Sequence, residues 1–135
     1  MKAKFTIESS WRVSDAEQIM RATHFAINYF SLETGSVHVK MLNCRGTTAT
    51  TEKLKGRKFI VVIPRGIKEY EEAILHEMCH VNQFYTGRLK FRNGQWTFGG
   101  KLYPKPRSHV EYLQLPWEME ARAMEEVLLD EFWSE

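Results

Sequence analysis

The sequence predicts an α+β fold, and three observations support that class. The 135 residues, of which 43% are hydrophobic and 27% charged, suit one ordinary globular domain spanning residues 1–135. Apolar residues recur at helical spacing in three separate segments of the chain. Runs with strand-like patterns lie between the first two of these segments, so a small twisted sheet should back the helices.

The N-terminal part of the chain predicts a helix followed by strands. Ser14 is a good N-cap, and Glu17 three residues later completes a capping box, so a helix should run from Ser14 to about Ser31. Apolar and polar residues alternate over Gly35–Leu42, which predicts a half-buried strand. The polar, threonine-rich segment Arg45–Thr51 is a candidate second strand that follows a turn.

The C-terminal part predicts a strand, two helices and a long loop. The β-branched and aromatic run Lys58–Ile63 predicts the clearest strand of the chain. A helix should follow from about Lys68 to Tyr85, with Gly87 as its C′ residue. The glycine- and proline-containing segment Arg88–Leu115 is interpreted as a long loop with one hairpin at most, a length that indicates a functional segment. Pro116 then begins a final helix of about 18 residues.

Residues 76–80 form a His-Glu-x-x-His motif within the second predicted helix. Because residues i and i+4 project from one face of an α-helix, the imidazoles of His76 and His80 can reach one metal ion. Glu77 lies beside that ion without binding it, where it can take a proton from a water whose pKa zinc lowers towards about 7. The motif therefore predicts a zinc (Zn2+) peptidase with Glu77 as its general base.

A catalytic zinc needs a third protein ligand and an open position for water. The downstream candidates are His109, Glu111, Glu118 and Glu120. Glu118 falls in the first turn of the final helix, and the helical wheel places Glu118 and Glu120 on opposite flanks of its apolar stripe. Periodicity therefore leaves both glutamates open as the third ligand. Gln83 is a candidate for a hydrogen bond near the site.

The segment Arg88–Arg107 carries six bases and no acid, and aromatic residues lie between the bases. Bases with aromatic residues can grip nucleic acids, so this segment is a candidate nucleic-acid contact. It is equally a candidate lid over the active site or a site that recruits an acidic protein. Because it joins the two helices that carry the predicted ligands, we expect it to border the active-site cleft.

Two motifs give the chain a specific resemblance that covers about Ile60 to Leu129. The His-Glu-x-x-His motif is followed by Pro-Trp-Glu-x-Glu-Ala at Pro116–Ala121, and together they resemble a gluzincin-type zincin. The wider pattern resembles small, uncharacterised metallopeptidase-like proteins of bacteriophages and bacteria. Two positions depart from better-known relatives: Phe84 stands where SprT-type proteases carry histidine, and Arg122 where ImmA-type regulators carry asparagine. The resemblance therefore carries over neither family's biology.

The resemblance implies a minimal zincin-like fold, in which an N-terminal helix and a small twisted sheet back the motif helix, and a long loop leads to a C-terminal ligand helix. In such proteins the glutamate that begins Glu-x-x-Ala binds the metal, which implies Glu118 as the ligand, with Glu120 as the alternative. A Tyr or His near the site stabilises the oxyanion, which makes Tyr112 and His109 candidates. An edge strand pairs with an extended peptide substrate, here Arg57–Ile63 or its neighbour.

Composition restricts where the protein acts. No apolar run approaches the roughly 18 residues that span a membrane, and the first residues lack the apolar stretch of a signal peptide. Cys44 and Cys79 form no Cys-x-x-Cys pair, which excludes a zinc ribbon, and we expect both to be reduced. The expected location is the cytoplasm, which the resemblance implies to be that of a bacterial cell or a phage-infected host. The alternative to a peptidase is a catalytically inactive, zinc-bound domain that binds protein or nucleic acid.

Overall fold

The computed structural model describes residues 5–9, 13–42, 48–64 and 69–134. Helices and strands both contribute to the fold, which confirms the predicted α+β class. In chain order the elements are β1 (Phe5–Ser9), α1 (Val13–Tyr29), β2 (Gly35–Leu42), β3 (Thr50–Lys53), β4 (Lys58–Pro64), α2 (Tyr70–Tyr85), β5 (Leu89–Arg92), β6 (Gln95–Phe98), β7 (Lys101–Tyr103), α3 (His109–Leu113) and α4 (Pro116–Trp133).

Within the described ranges, the first sheet has four strands in the order β1-β2-β4-β3, with β1, β2 and β4 parallel and β3 antiparallel to β4. The strand β1 was not predicted. Of the two expected candidates for a substrate-binding edge strand, Arg57–Ile63 or its neighbour, the first is wrong, because β4 is paired on both sides. Its unbroken apolar run is typical of an interior parallel strand. The neighbouring strand β3 lies at the edge of the sheet as far as the described residues show.

The helix α1 differs from its prediction at both ends. It begins at Val13, so Ser14 lies within the first turn rather than at the N-cap. It ends at Tyr29, two residues before the predicted limit, because Ser31 adopts a left-handed conformation with φ of 55°. The strand β2 has the predicted bounds, and Val37 and Val39 are buried. The start of the candidate strand Arg45–Thr51 lies outside the described residues, and β3 takes up only its end.

The helix α2 ends at Tyr85, as predicted, while the expected start at Lys68 lies outside the described residues. Gly87 adopts a positive φ of 79°, and its N–H donates to the carbonyl of Phe84 at 3.0 Å, which confirms it as the C′ residue. The helix packs against β3 and β4 on one side and against α1 and α4 on others. It is therefore the central element around which the other layers assemble.

The segment Arg88–Leu115 is not the long loop that we expected. It forms an antiparallel sheet of β5, β6 and β7 and the short helix α3. Asn93 and Gly94 both have positive φ (53° and 73°), as the two-residue turns that best suit hairpins require. Such an Asn-Gly pair between strand-like residues is a strong hairpin signal.

The helix α4 has the predicted start at Pro116 and a length of 18 residues. Its apolar stripe is buried at Trp117, Ala121, Leu128 and Phe132. Trp117 also holds the second sheet in place, because the rings of Trp96, Phe98 and Tyr103 lie 5.5–6.0 Å from it, measured between centroids. The sheet β5–β7 therefore packs beside the start of α4. Among the described residues, no helix has the length and apolar character to cross a membrane.

Candidate metal centre

The side chains of His76 and His80 meet Glu118 between α2 and α4. The two imidazoles lie one helical turn apart on α2, with ring centroids 5.0 Å apart. The carboxylate of Glu118 places Oε1 3.3 Å from Nε2 of His76 and Oε2 2.9 Å from Nε2 of His80. One potential ligand atom from each of the three residues lies within 4.8 Å of the others. These residues are therefore close enough to hold one metal ion.

Both histidines are oriented by a hydrogen bond on the nitrogen that faces away from the cluster. Nδ1 of His76 lies 2.8 Å from Oε1 of Glu125, and Nδ1 of His80 lies 2.8 Å from Oε1 of Gln83. An acceptor at Nδ1 fixes the tautomer that leaves the Nε2 lone pair free for a metal. Glu125 was not predicted, although its position seven residues after Glu118 places both on one face of α4.

Glu120, the alternative third ligand, is engaged elsewhere. Arg88 donates to its two carboxylate oxygens at 2.7 and 2.9 Å. Gln83, which is fully buried, donates from Nε2 to Oε1 of Glu120 and to the carbonyl of Trp117, both at 3.0 Å. A chain of contacts thus leads from Arg88 through Glu120 and Gln83 to His80. Of the two glutamates, Glu118 belongs to the cluster, whereas Glu120 contacts it only through Gln83.

Glu77 lies next to the cluster but does not belong to it. Its side chain is only 5% exposed, and its Oε1 accepts a hydrogen bond of 2.7 Å from Oγ1 of Thr51 on the edge strand β3. Burial raises the pKa of Glu77, and the positive charge of His80 and the hydrogen bond from Thr51 oppose that rise. The result is a fixed, buried carboxylate with an increased affinity for a proton.

The histidines and Glu118 shift one another's pKa values. Burial lowers the pKa of His76, but hydrogen bonds to Glu118 and Glu125 outweigh it and raise the value to about 10. Burial raises the pKa of Glu118, but both histidines outweigh it and hold the value well below its usual range. In the absence of metal the carboxylate of Glu118 is therefore ionised and His76 is protonated at neutral pH. A bound cation would take the place of the proton on Nε2.

Tyr112 and His109 lie on α3 at the mouth of the same site. They line a cavity of about 640 Å³ together with His76, Glu77 and Glu118. Burial and the charge and hydrogen bond of Glu118 raise the pKa of Tyr112, so its hydroxyl keeps its proton at neutral pH.

Glu111, another of the candidate ligands, is not in the cluster. Its side chain is exposed, and its carboxylate accepts a hydrogen bond of 3.0 Å from the backbone N–H of Arg107. Helix α3 therefore turns Glu111 away from the metal-binding residues while Tyr112 and His109 line the cavity.

The donor set suits a divalent transition-metal ion. Two imidazole nitrogens and one carboxylate are the protein ligands of known catalytic zinc sites, which leave a position open for water. The hydrogen bonds that the two imidazoles donate to Glu125 and Gln83 supply the support that such histidine ligands require. The cysteine that the structure describes, Cys79, is a buried free thiol outside the cluster.

Comparisons with known proteins leave the site to be interpreted from its own geometry. No protein-family model, no curated protein and no solved structure matched the chain. Membership of a zincin family therefore stays a prediction, carried by the two sequence motifs that the fold brings together.

Proposed function

We propose that the protein is a zinc metallopeptidase that hydrolyses peptide bonds in extended segments. The observation that carries this proposal is the convergence of His76, His80 and Glu118 beside the buried carboxylate of Glu77. A purely structural zinc site has four protein ligands and needs no neighbouring base. In the described part of the chain, the cluster has three ligands and a carboxylate placed next to them.

Each residue of the site would have a separate role in hydrolysis. When bound, zinc would act as a Lewis acid that lowers the pKa of a coordinated water and polarises the substrate carbonyl. Glu77 would accept the proton of the attacking water and deliver it to the leaving amine, a role that suits its raised pKa. The hydroxyl of Tyr112 would donate to the developing oxyanion, with His109 as the second candidate for that role.

The edge strand β3 is the proposed partner of the substrate backbone. Thr51 on this strand donates to Glu77, so β3 passes directly beside the proposed base. An edge strand offers backbone N–H and C=O groups with which an extended peptide can pair by strand addition. Such pairing would align one peptide bond with the metal and with Glu77. The proposed substrate is therefore a protein or peptide segment in extended conformation.

Cleavage of a peptide library tests the peptidase proposal. The wild-type protein and the Glu77→Gln variant are loaded with zinc, and Glu126→Gln serves as the control because it removes an exposed glutamate of α4. We expect all three to bind one zinc and Glu77→Gln to lose at least about 100-fold in kcat/KM. Equal cleavage by Glu77→Gln, or no cleavage by a zinc-loaded wild type, would contradict the proposal.

A catalytically inactive domain that binds nucleic acid is the second candidate. The observation that favours it is the alternation of β5, where Lys90 and Arg92 are exposed and lie on the face opposite Leu89 and Phe91. Replacing both bases by serine should weaken DNA binding and flatten its dependence on salt. Unchanged DNA binding by that variant would remove this candidate. For either function we propose a cytoplasmic location, with which the reduced thiol of Cys79 is compatible.

A further inference from the structure

A second cavity adjoins the metal centre on the side of His80. Its volume is about 170 Å³, and both His80 and Glu118 line it. One wall is formed by Thr50 and Thr51 of the edge strand β3. The opposite wall is apolar and consists of Phe84, Leu89, Trp96 and Trp117.

A third cavity continues the second one along β3. It measures about 450 Å³ and lies between residues 51–53 and the rings of Phe84, Phe91 and Trp96. The two cavities share Thr51, Phe84 and Trp96, so together they form one groove. We call this space the β3 groove: it runs from the metal centre between β3 and the hairpin β5–β6.

The aromatic wall of the β3 groove combines a fixed ring with an exposed one. Trp96 packs at 5.6 Å from Trp117 and at 6.2 Å from Phe84, measured between ring centroids. Phe91 pairs directly with Trp96 across the hairpin, with ring centroids 4.6 Å apart, and yet its side chain is 53% exposed. Trp96 is therefore held in place by the core, while Phe91 presents apolar surface that no described neighbour covers.

We propose that Trp96 and Phe91 are specificity-determining residues that bind a large apolar side chain of the substrate. This inference rests on the proposed peptidase function and names the substrate class: extended peptides with an aromatic or large aliphatic residue on the His80 side of the cleaved bond. Because alternate residues of a strand face the same way, a peptide paired with β3 would direct every second side chain at the aromatic wall.

The segment Arg88–Arg107 contributes apolar rather than basic side chains to the β3 groove. Lys90 and Arg92 alternate with Leu89 and Phe91, so they lie on the other face of the sheet. Of the residues in 88–107, those that line the two cavities are Leu89, Phe91 and Trp96. The groove therefore selects by apolar contact, and the positive charges of the segment do not line it.

Binding to a displayed library of random peptides tests this inference separately from catalysis. The zinc-loaded Glu77→Gln variant is used to retain peptides without cutting them, and we expect retained peptides to share a large apolar residue at one fixed position. Trp96 packs on Trp117 and its loss would disturb the fold, so Phe91 carries the test. In the same background, Phe91→Ser should weaken binding of a selected peptide about tenfold.

The matched control is Val127→Ser, which removes an exposed apolar side chain (44%) of α4 that lines neither cavity of the β3 groove. It should change binding less than about twofold. Failure to retain peptides, retained peptides without an apolar preference, or equal effects of the two substitutions would each overturn the inference. If the selected peptides bind as expected but the wild type does not cut them, the β3 groove is a binding site for apolar peptides and the peptidase function fails.

Discussion

Replacing Gln83 by methionine removes the hydrogen bond that orients His80 in the proposed metal centre. Gln83 is fully buried, and its Oε1 holds Nδ1 of His80 at 2.8 Å. Methionine has a similar volume and no hydrogen-bonding amide, so packing is largely kept. Glu120 retains Arg88 as a partner, and the carbonyl of Trp117 is part of helix α4. His80 is therefore the group that loses its support.

The expected effect has two separate parts. A buried polar group without a partner costs roughly 1–3 kcal/mol, so the metal-free Gln83→Met protein should lose about that much unfolding free energy. Loss of a hydrogen bond to a ligating histidine typically lowers metal affinity 10–100-fold, or about 1.4–2.7 kcal/mol. Gln83→Glu keeps an acceptor for His80 and should restore part of the metal affinity, although it removes the donor to Trp117 and Glu120 and places a second carboxylate beside that of Glu120.

A chelator competition titration measures the zinc affinity, and denaturant unfolding of the metal-free protein measures stability. Gln18→Met is the matched control, because it makes the same chemical change at an exposed position of α1. Zinc affinity within twofold of wild type, together with reduced stability, would show that Gln83 is only a packing residue and would refute its role in orienting His80.

Further predictions concern the ligand, the pH dependence and the base. Glu118→Gln should weaken zinc binding by at least about 100-fold in the same titration and Glu120→Gln by less than about tenfold, because only Glu118 contacts both imidazoles. Since the pKa of His76 is raised to about 10, zinc binding at pH 7 should release protons, which calorimetry in buffers of different ionisation enthalpy measures. The raised pKa also stabilises the metal-free fold fully below about pH 6.5, and denaturant unfolding should show this stability disappearing as pH rises towards 10. Thr51→Val should preserve zinc content and lower kcat about tenfold, because Glu77 loses the hydrogen bond that orients it.

Each of these expectations has a contrary result. Equal losses of affinity in the Glu118 and Glu120 variants would mean that the cluster is not the metal site. Zinc binding without proton release would mean that the histidines are neutral in the metal-free protein. An unfolding free energy that does not fall between pH 6.5 and 10 would remove the stabilising role of the His76 charge. Unchanged kcat in Thr51→Val would mean that Thr51 does not position Glu77.

Local patterns were sufficient to predict the parts of the site that lie within one helix. The spacing of His76 and His80 places both on one face of α2, and Pro116 correctly marks the start of α4. Neither pattern distinguishes Glu118 from Glu120, because the two lie on opposite flanks of the same apolar stripe. The difference arises from Arg88, which neutralises Glu120 from 32 residues away in the chain. The helical periodicity of α4 cannot predict such a contact, because it depends only on residues within the helix.

The errors in the fold also arise from long-range pairing. The strand Lys58–Pro64 was predicted with nearly correct bounds, but its position inside the sheet was not, because strand order depends on pairing between distant segments. The second sheet was missed for a different reason. Its Asn93-Gly94 turn is a hairpin signal, but the glycines and prolines that follow it, at positions 99, 100, 104 and 106, favour a loop. Packing of Trp96 on Trp117 is what stabilises the sheet.

Zinc X-ray absorption of the stoichiometrically loaded protein tests the metal centre most directly. The arrangement of His76, His80 and Glu118 predicts about one zinc per chain, with two imidazole nitrogens at about 2.0–2.1 Å and oxygen ligands at about 2.0–2.2 Å. The His80→Ala variant should lose that signal. A sulfur ligand at about 2.3 Å, or a wild-type chain that binds no stoichiometric zinc, would contradict the proposed centre.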